Sequence, residues 1–159
     1  MPRIAISGHR GLPKSTTVMV DTELRHQLAN HDPDELVGLS CIADGADSLF
    51  AQAVLDRGGR LEVIIPAEEY RAGLPAEHHP VYDRLLADAS AIRRLPFRQS
   101  TSESHMAASK LMLEHAEELY AVGDGLPARG SGGTADVVTA ARQLGLPVTV
   151  IWPEGATRA

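Results

Sequence analysis

Short apolar runs alternate along this chain with longer stretches in which apolar residues recur every three or four positions. The runs predict strands at 3–7, 36–42, 61–65, 91–95, 119–122 and 148–152. Between the first two, Val20, Leu24 and Leu28 mark one face of a helix opened by Ser15 or Thr16 and running to about Asn30. Leu49, Phe50, Ala53 and Val54 form the stripe of a second helix, with Asp44 as its N-cap and Gly58-Gly59 as its stop. A short helix over 81–88 follows the least regular stretch, 67–80. Ser100-Thr101-Ser102-Glu103 reads as a capping box ahead of a helix to about His115. The last helix covers 134–144, before Gly145 and Pro147 break the chain.

Strands alternating with helices predict an α/β fold with a mainly parallel central sheet covered on both faces. No repeat, low-complexity tract or linker divides the 159 residues, so 1–159 reads as one domain. In such sheets ligands collect at the carboxyl ends of the strands, near a switch in strand order. Three turns with suggestive chemistry follow strand ends: 7–10, 43–48 and 123–136.

The third turn is the richest. Gly123, Gly125, Gly130, Gly132 and Gly133 lead from an apolar strand into a helix opened by Thr134 and Asp136. Backbone N–H groups at a helix N-terminus attract anions, and glycine lets the backbone approach them closely. A phosphate is the expected guest. In the first turn, Arg10 offers paired donors to a phosphate and His9 a hydrogen bond to a base or ribose, or Arg10 simply pairs with a neighbouring carboxylate. In the second, Asp44 suits a helix cap, while Asp47 suits either the helix dipole or a ribose hydroxyl.

The formal charge of −6, with Lys14 and Lys110 the only lysines, argues against a nucleic-acid partner. No apolar run approaches the roughly 20 residues of a membrane span, and the start of the chain has no signal-peptide pattern. Together with the lone Cys41, read as a buried small hydrophobe, this predicts a cytoplasmic protein. Adjacent His78 and His79 make a poor metal pair, and neither a serine-hydrolase elbow nor a P-loop is present. No metal and no cofactor are expected.

Ser-Gly-His-Arg at 7–10, Ala-Asp-Gly-Ala-Asp-Ser-Leu-Phe-Ala at 43–51 and Gly-Ser-Gly-Gly-Thr-Ala-Asp at 130–136 together resemble the SLOG superfamily. That group includes Lonely Guy phosphoribohydrolases, the DNA-processing protein A family and sensor domains for nucleotide-derived ligands. The resemblance spans nearly the whole chain and implies a three-layer Rossmann-like fold of about six strands, with a nucleotide site. Lonely Guy enzymes carry Pro-Gly-Gly-x-Gly-Thr-x-x-Glu. With the family's Gly-Thr set on Gly133-Thr134, Arg129 stands at the proline, Ser131 at the second glycine and Val137 at the catalytic glutamate. The family's Arg-Lys pair falls on Ala108 and Ser109. Asp136, one residue early, points about 100° away on a helix.

The reading that follows is a protein that binds a nucleoside phosphate or an ADP-ribose-like ligand. Gly130, Ser131, Gly132, Gly133 and Thr134 would hold phosphate, and Gly8, His9, Arg10 and Asp47 would line the same cleft. The rival readings are a nucleotide N-glycosidase using Asp136 or Asp124, and a single-stranded DNA binder. A homodimer is expected through the 101–115 helix, whose Met106, Leu111, Met112 and Leu113 exceed one core-facing stripe.

Overall fold

Each predicted apolar run forms a strand in the computed structural model, which describes residues 2–124 and 133–157. In chain order the elements are β1 (Arg3–Gly8), α1 (Lys14–Leu28), β2 (Val37–Ser40), α2 (Ala46–Arg57) and β3 (Arg60–Ala67). Two single 3₁₀ turns, Arg71–Gly73 and Ala76–His78, lead to α3 (His79–Ala87). Then come β4 (Ala91–Phe97), α4 (Ser102–Glu114), β5 (Glu118–Val122), α5 (Thr134–Gln143) and β6 (Val148–Ile151).

All strand pairs are parallel, in the order β4-β3-β2-β1-β5-β6. The chain builds outward from β1 to one edge, then returns to the other side of β1 through β5. The switch in strand order therefore lies between β1 and β5, where Gly8 is in register with Val122. Ile4, Ile6, Tyr120 and Val122 pack on one face with the apolar sides of α1 and α2. Ala5, Leu39, Leu119 and Ala121 face α4 and α5, from which Met112, Leu113, Val137 and Ala141 descend. Both faces are covered, as short, nearly continuous apolar strands require.

Several boundaries differ from the sequence pattern; α1, for one, opens at Lys14 behind Pro13, ahead of both Ser15 and Thr16, because Pro at the position before the first turn already sets the helix entry. The strand β2 stops at Ser40 because the Ser40 Oγ accepts the Ile42 N–H at 3.0 Å, while Ile42 turns to φ +48°. In β3, Pro66 does not end the strand: β2 pairs with it only as far as Val63, and its register with β4 shifts between Ile65 and Ala67. The capping box of α4 sits one residue later than expected. Thr101 Oγ1 accepts the Ser104 N–H at 3.2 Å, and Ser104 Oγ accepts the Thr101 N–H at 2.9 Å. Ser100 is engaged elsewhere, its Oγ lying 2.7 Å from His105 Nε2.

Candidate functional site

Two glycines join the first and second turns. A Cβ on Gly8 would collide with Ala46 and come within 2.9 Å of the Val122 Cβ. Gly45 has φ +90°, and a Cβ there would lie 2.5 Å from the His9 carbonyl oxygen. The end of β1 can therefore rest directly on the start of α2, where the Ala46 N–H donates to His9 O at 3.3 Å. The missing Cβ of Gly8 is thus filled by protein.

Arg10 follows at once, and Asp44 holds it. The Arg10 Nε donates to Asp44 Oδ1 at 2.9 Å, and the Gly11 N–H donates to Asp44 Oδ2 at 3.0 Å. Asp44 is therefore not the N-cap of α2. Gly45 occupies that position without a side-chain cap, because the Asp44 carboxylate is turned back to the first turn. The Arg10 side chain remains 46% exposed, which leaves donors open to solvent.

Asp47 stands in the first turn of α2. Burial pushes its carboxyl up to about 7, against the opposing pull of a backbone hydrogen bond from Ala43 and the charge of Arg10. Burial thus outweighs the helix dipole, and near neutral pH the group is poised to hold or release a proton. Tyr70 and His105 belong to the same neighbourhood, with ring centroids 5.6 Å apart in edge contact. Burial raises the Tyr70 phenol, which also feels Cys41, Asp47 and Arg10; burial lowers the His105 imidazole, helped by Arg10.

The turn after β2 is held by side chains the sequence pattern did not single out. Ser40 Oγ donates to Asp47 O at 3.0 Å, and Ser48 Oγ donates to Ala43 O at 2.6 Å. Buried His78 places Nε2 3.0 Å from Ile42 O and 3.2 Å from Ser48 Oγ. The Ser48 hydroxyl has already spent its hydrogen on Ala43, so His78 carries its proton on Nε2 and donates. These bonds over-determine a turn in which a β-branched residue has positive φ, a conformation that costs about 1–3 kcal/mol.

At the switch point, His9 Nε2 lies 3.3 Å from both Asp124 Oδ1 and the Asp124 backbone N, so either neutral tautomer finds a partner. Its ring meets Trp152 edge-on at 5.6 Å. Gly123 lies beside this pair: a Cβ there would be 3.2 Å from His9 Nε2 and 3.5 Å from Thr134 Cγ2. His9, Asp124 and the first residue of α5 therefore converge.

Gly133 caps α5 with φ −75°, so no positive φ is needed there. Gly130, Ser131 and Gly132 lie outside the described residues. Asp136 is in the first turn of α5, and Val137 is fully buried. Ala108 and Ser109, at the superfamily's Arg-Lys positions, are likewise buried in the helix layer. Among the described residues, no cluster of His, Cys, Asp and Glu could hold a metal, and no helix is long and apolar enough to cross a membrane.

No protein-family model matches the chain, and no curated protein is detectably similar in sequence. Solved structures do match. DNA processing protein A from Streptococcus pneumoniae superposes with a TM-score of 0.69 at 19% identity, over 98% of this chain and 52% of that one. The protein of the same name from Helicobacter pylori, described for its single-stranded DNA binding mode, gives 0.70 at 17% identity over 99% and 68%. A molybdenum cofactor binding protein from Rippkaea orientalis gives 0.61 at 15% identity over 94% and 75%. The chain thus spans about half the length of the Streptococcus protein. The chain therefore shares the Rossmann-like α/β fold of these proteins.

Proposed function

We propose that this protein binds a nucleotide, or a nucleotide-derived phosphate ligand, at the carboxyl ends of β1, β2 and β5. One observation carries the reading: the N-terminus of α5 opens beside His9 and Gly123 at the switch in strand order. The N–H groups at the start of a helix suit an anion, although that of Asp136 already donates to Gly133 O at 3.1 Å, and the half-exposed Arg10 guanidinium adds donors on the same edge. Asp47, with a carboxyl near neutrality, suits a hydroxyl that both gives and takes hydrogen bonds. The likeness to a cofactor-binding protein from Rippkaea orientalis fits a site of this kind.

Thermal unfolding tests it. A nucleoside monophosphate or ADP-ribose at 100 times its dissociation constant should add about 2.7 kcal/mol, or about 5–10 °C in Tm. Equal shifts from the matching unphosphorylated nucleosides would end the phosphate reading.

A second reading has an observation of its own. The Asp124 carboxylate is held against His9 at the switch in strand order, where it could stabilise positive charge at a sugar carbon. Release of free base from a nucleoside monophosphate would establish that N-glycosidase. Steeply salt-dependent binding of oligonucleotides would instead favour single-stranded DNA, the ligand named for the Helicobacter relative. The expected homodimer now rests on half-buried Met106, since Met112 and Leu113 are core residues and Leu111 packs against that core. Light scattering at high micromolar concentration tests it.

A further inference from the structure

A cavity of about 260 Å³ runs from the switch point along α5 to the edge strand β6. Its inner end is formed by His9, Gly123 and Thr134, so it reaches the N-terminus of α5. From there the wall turns apolar, with Ala121, Ala135, Val138 and Val150, and Arg142 stands at the far end. Thr134, Ala135, Val138, Thr139 and Arg142 follow helical spacing and form one continuous face of α5. At 1.5 Å per residue, Arg142 lies about 12 Å along the axis from Thr134.

Two features of this cleft are unused by the fold. Val150 remains 55% exposed on the edge strand, although it borders the cavity. The exposed Arg142 guanidinium makes no hydrogen bond or ion pair among the described residues, as is also true of Arg60 and Arg94, whereas Arg3, Arg10, Arg25, Arg71, Arg93 and Arg98 all meet carboxylates; of the three without a partner, Arg142 alone borders this cavity. An apolar slot that begins at an anion site and ends at a lone guanidinium suits a flat heterocycle attached to a phosphate. Arginine has donors only, in a planar fork, so it selects an edge made of acceptors. The N7/O6 edge of guanine is such an edge, while adenine presents a donor beside N7.

Resting on the phosphate reading above, we infer that the α5–β6 cleft takes the purine base of the bound nucleotide, with Arg142 donating to an acceptor edge of guanine type.

Calorimetric titration of the full chain with GMP, AMP and ribose 5-phosphate tests this, using the wild type and the variants Val150→Trp, Thr139→Trp and Arg142→Met. Val150 and Thr139 are exposed, so tryptophan at either should fill the slot without entering the core. Wild-type protein should bind GMP at least about tenfold more tightly than ribose 5-phosphate, a difference of about 1.4 kcal/mol, and more tightly than AMP. Either tryptophan should remove the advantage of GMP and leave ribose 5-phosphate unchanged, while Arg142→Met should bring GMP down to AMP. Equal affinities for GMP and ribose 5-phosphate would overturn the base site while the phosphate reading stands. A GMP advantage that survives both tryptophans, or AMP binding as tightly as GMP, would overturn it as well. Binding of none of the three would sink the phosphate reading and this inference together. Sedimentation showing that Val150→Trp turns a dimer into a monomer would assign the cleft to a second copy, and would also overturn it.

Discussion

The turn after β2 and the start of α5 both lie on the edge of the sheet that carries the strand ends, yet they are held in different ways. The first is braced: Ser40, Ser48 and His78 bond its backbone, Asp44 ties it to Arg10, and Ile42 is held at φ +48°. The second has a relaxed cap, Gly133 at φ −75°, and touches the rest of the edge through His9, Gly123 and Thr134. A braced turn fixes side chains such as Asp47 in a costly environment. A helix start presents backbone N–H groups, which need access more than rigidity. On the reading proposed above, the β2 turn would position Asp47 and the start of α5 would offer the anion seat.

The largest expected effect breaks the brace at its joint. Gly45→Val combines a positive φ with a Cβ 2.5 Å from the His9 carbonyl oxygen, both backbone features that cannot rotate away. Strain and overpacking together should cost roughly 3 kcal/mol or more, about 6–12 °C in Tm by calorimetry.

Next comes His78→Ala, which leaves the buried Ile42 carbonyl without its donor, at about 1–3 kcal/mol in denaturant unfolding. His78→Gln, which keeps an N–H donor, should recover part of the loss. Full stability in His78→Ala would show that the turn does not depend on this brace.

On the relaxed side, Gly133→Val should hardly alter stability, because its φ is open to any residue. It should still weaken phosphate-dependent binding by about tenfold, by setting bulk beside the helix N–H groups. Asp136→Asn should leave phosphate affinity nearly intact; if it instead abolished release of base, the protein would be an enzyme.

The last effect is a slope with pH. The Asp47 carboxyl is raised from 3.8 to about 7, so the folded state binds its proton more tightly than the unfolded chain. Its contribution is fully present below about pH 4 and is lost as pH rises through 7. Asp47→Asn should therefore gain stability relative to wild type across that window. Parallel stability–pH curves for the two proteins would refute the buried-acid assignment.

The sheet, its helices and the edge that carries the site were legible because period and punctuation are local signals. Val20, Leu24 and Leu28 are all buried, and Gly58 ends α2 in the left-handed region as its position suggests. What pattern reading missed was set by partners far away in sequence. Asp44 looks like a cap until Arg10, 34 residues earlier, claims its carboxylate. His78 sat in the stretch judged least regular, yet it reaches 36 residues back to Ile42. Tyr70 and His105 were also overlooked. A helix that follows β4 must start on the same edge in a parallel sheet, so the first turn of α4, which carries His105, bore a local signal for this neighbourhood.

The central place of β1 also has a consequence for how the molecule assembles. Its two neighbours are separated by about half of the chain, and the contact between His9 and Asp124 spans 115 residues. During folding, the β1–β2–β3–β4 half can pair early, while the switch point must wait for β5 to dock, a slow long-range closure. Trp152, the only tryptophan, meets His9 at that junction. Its fluorescence is thus a built-in clock for the final step, and under refolding the pocket should come into being only when that signal reaches its native value.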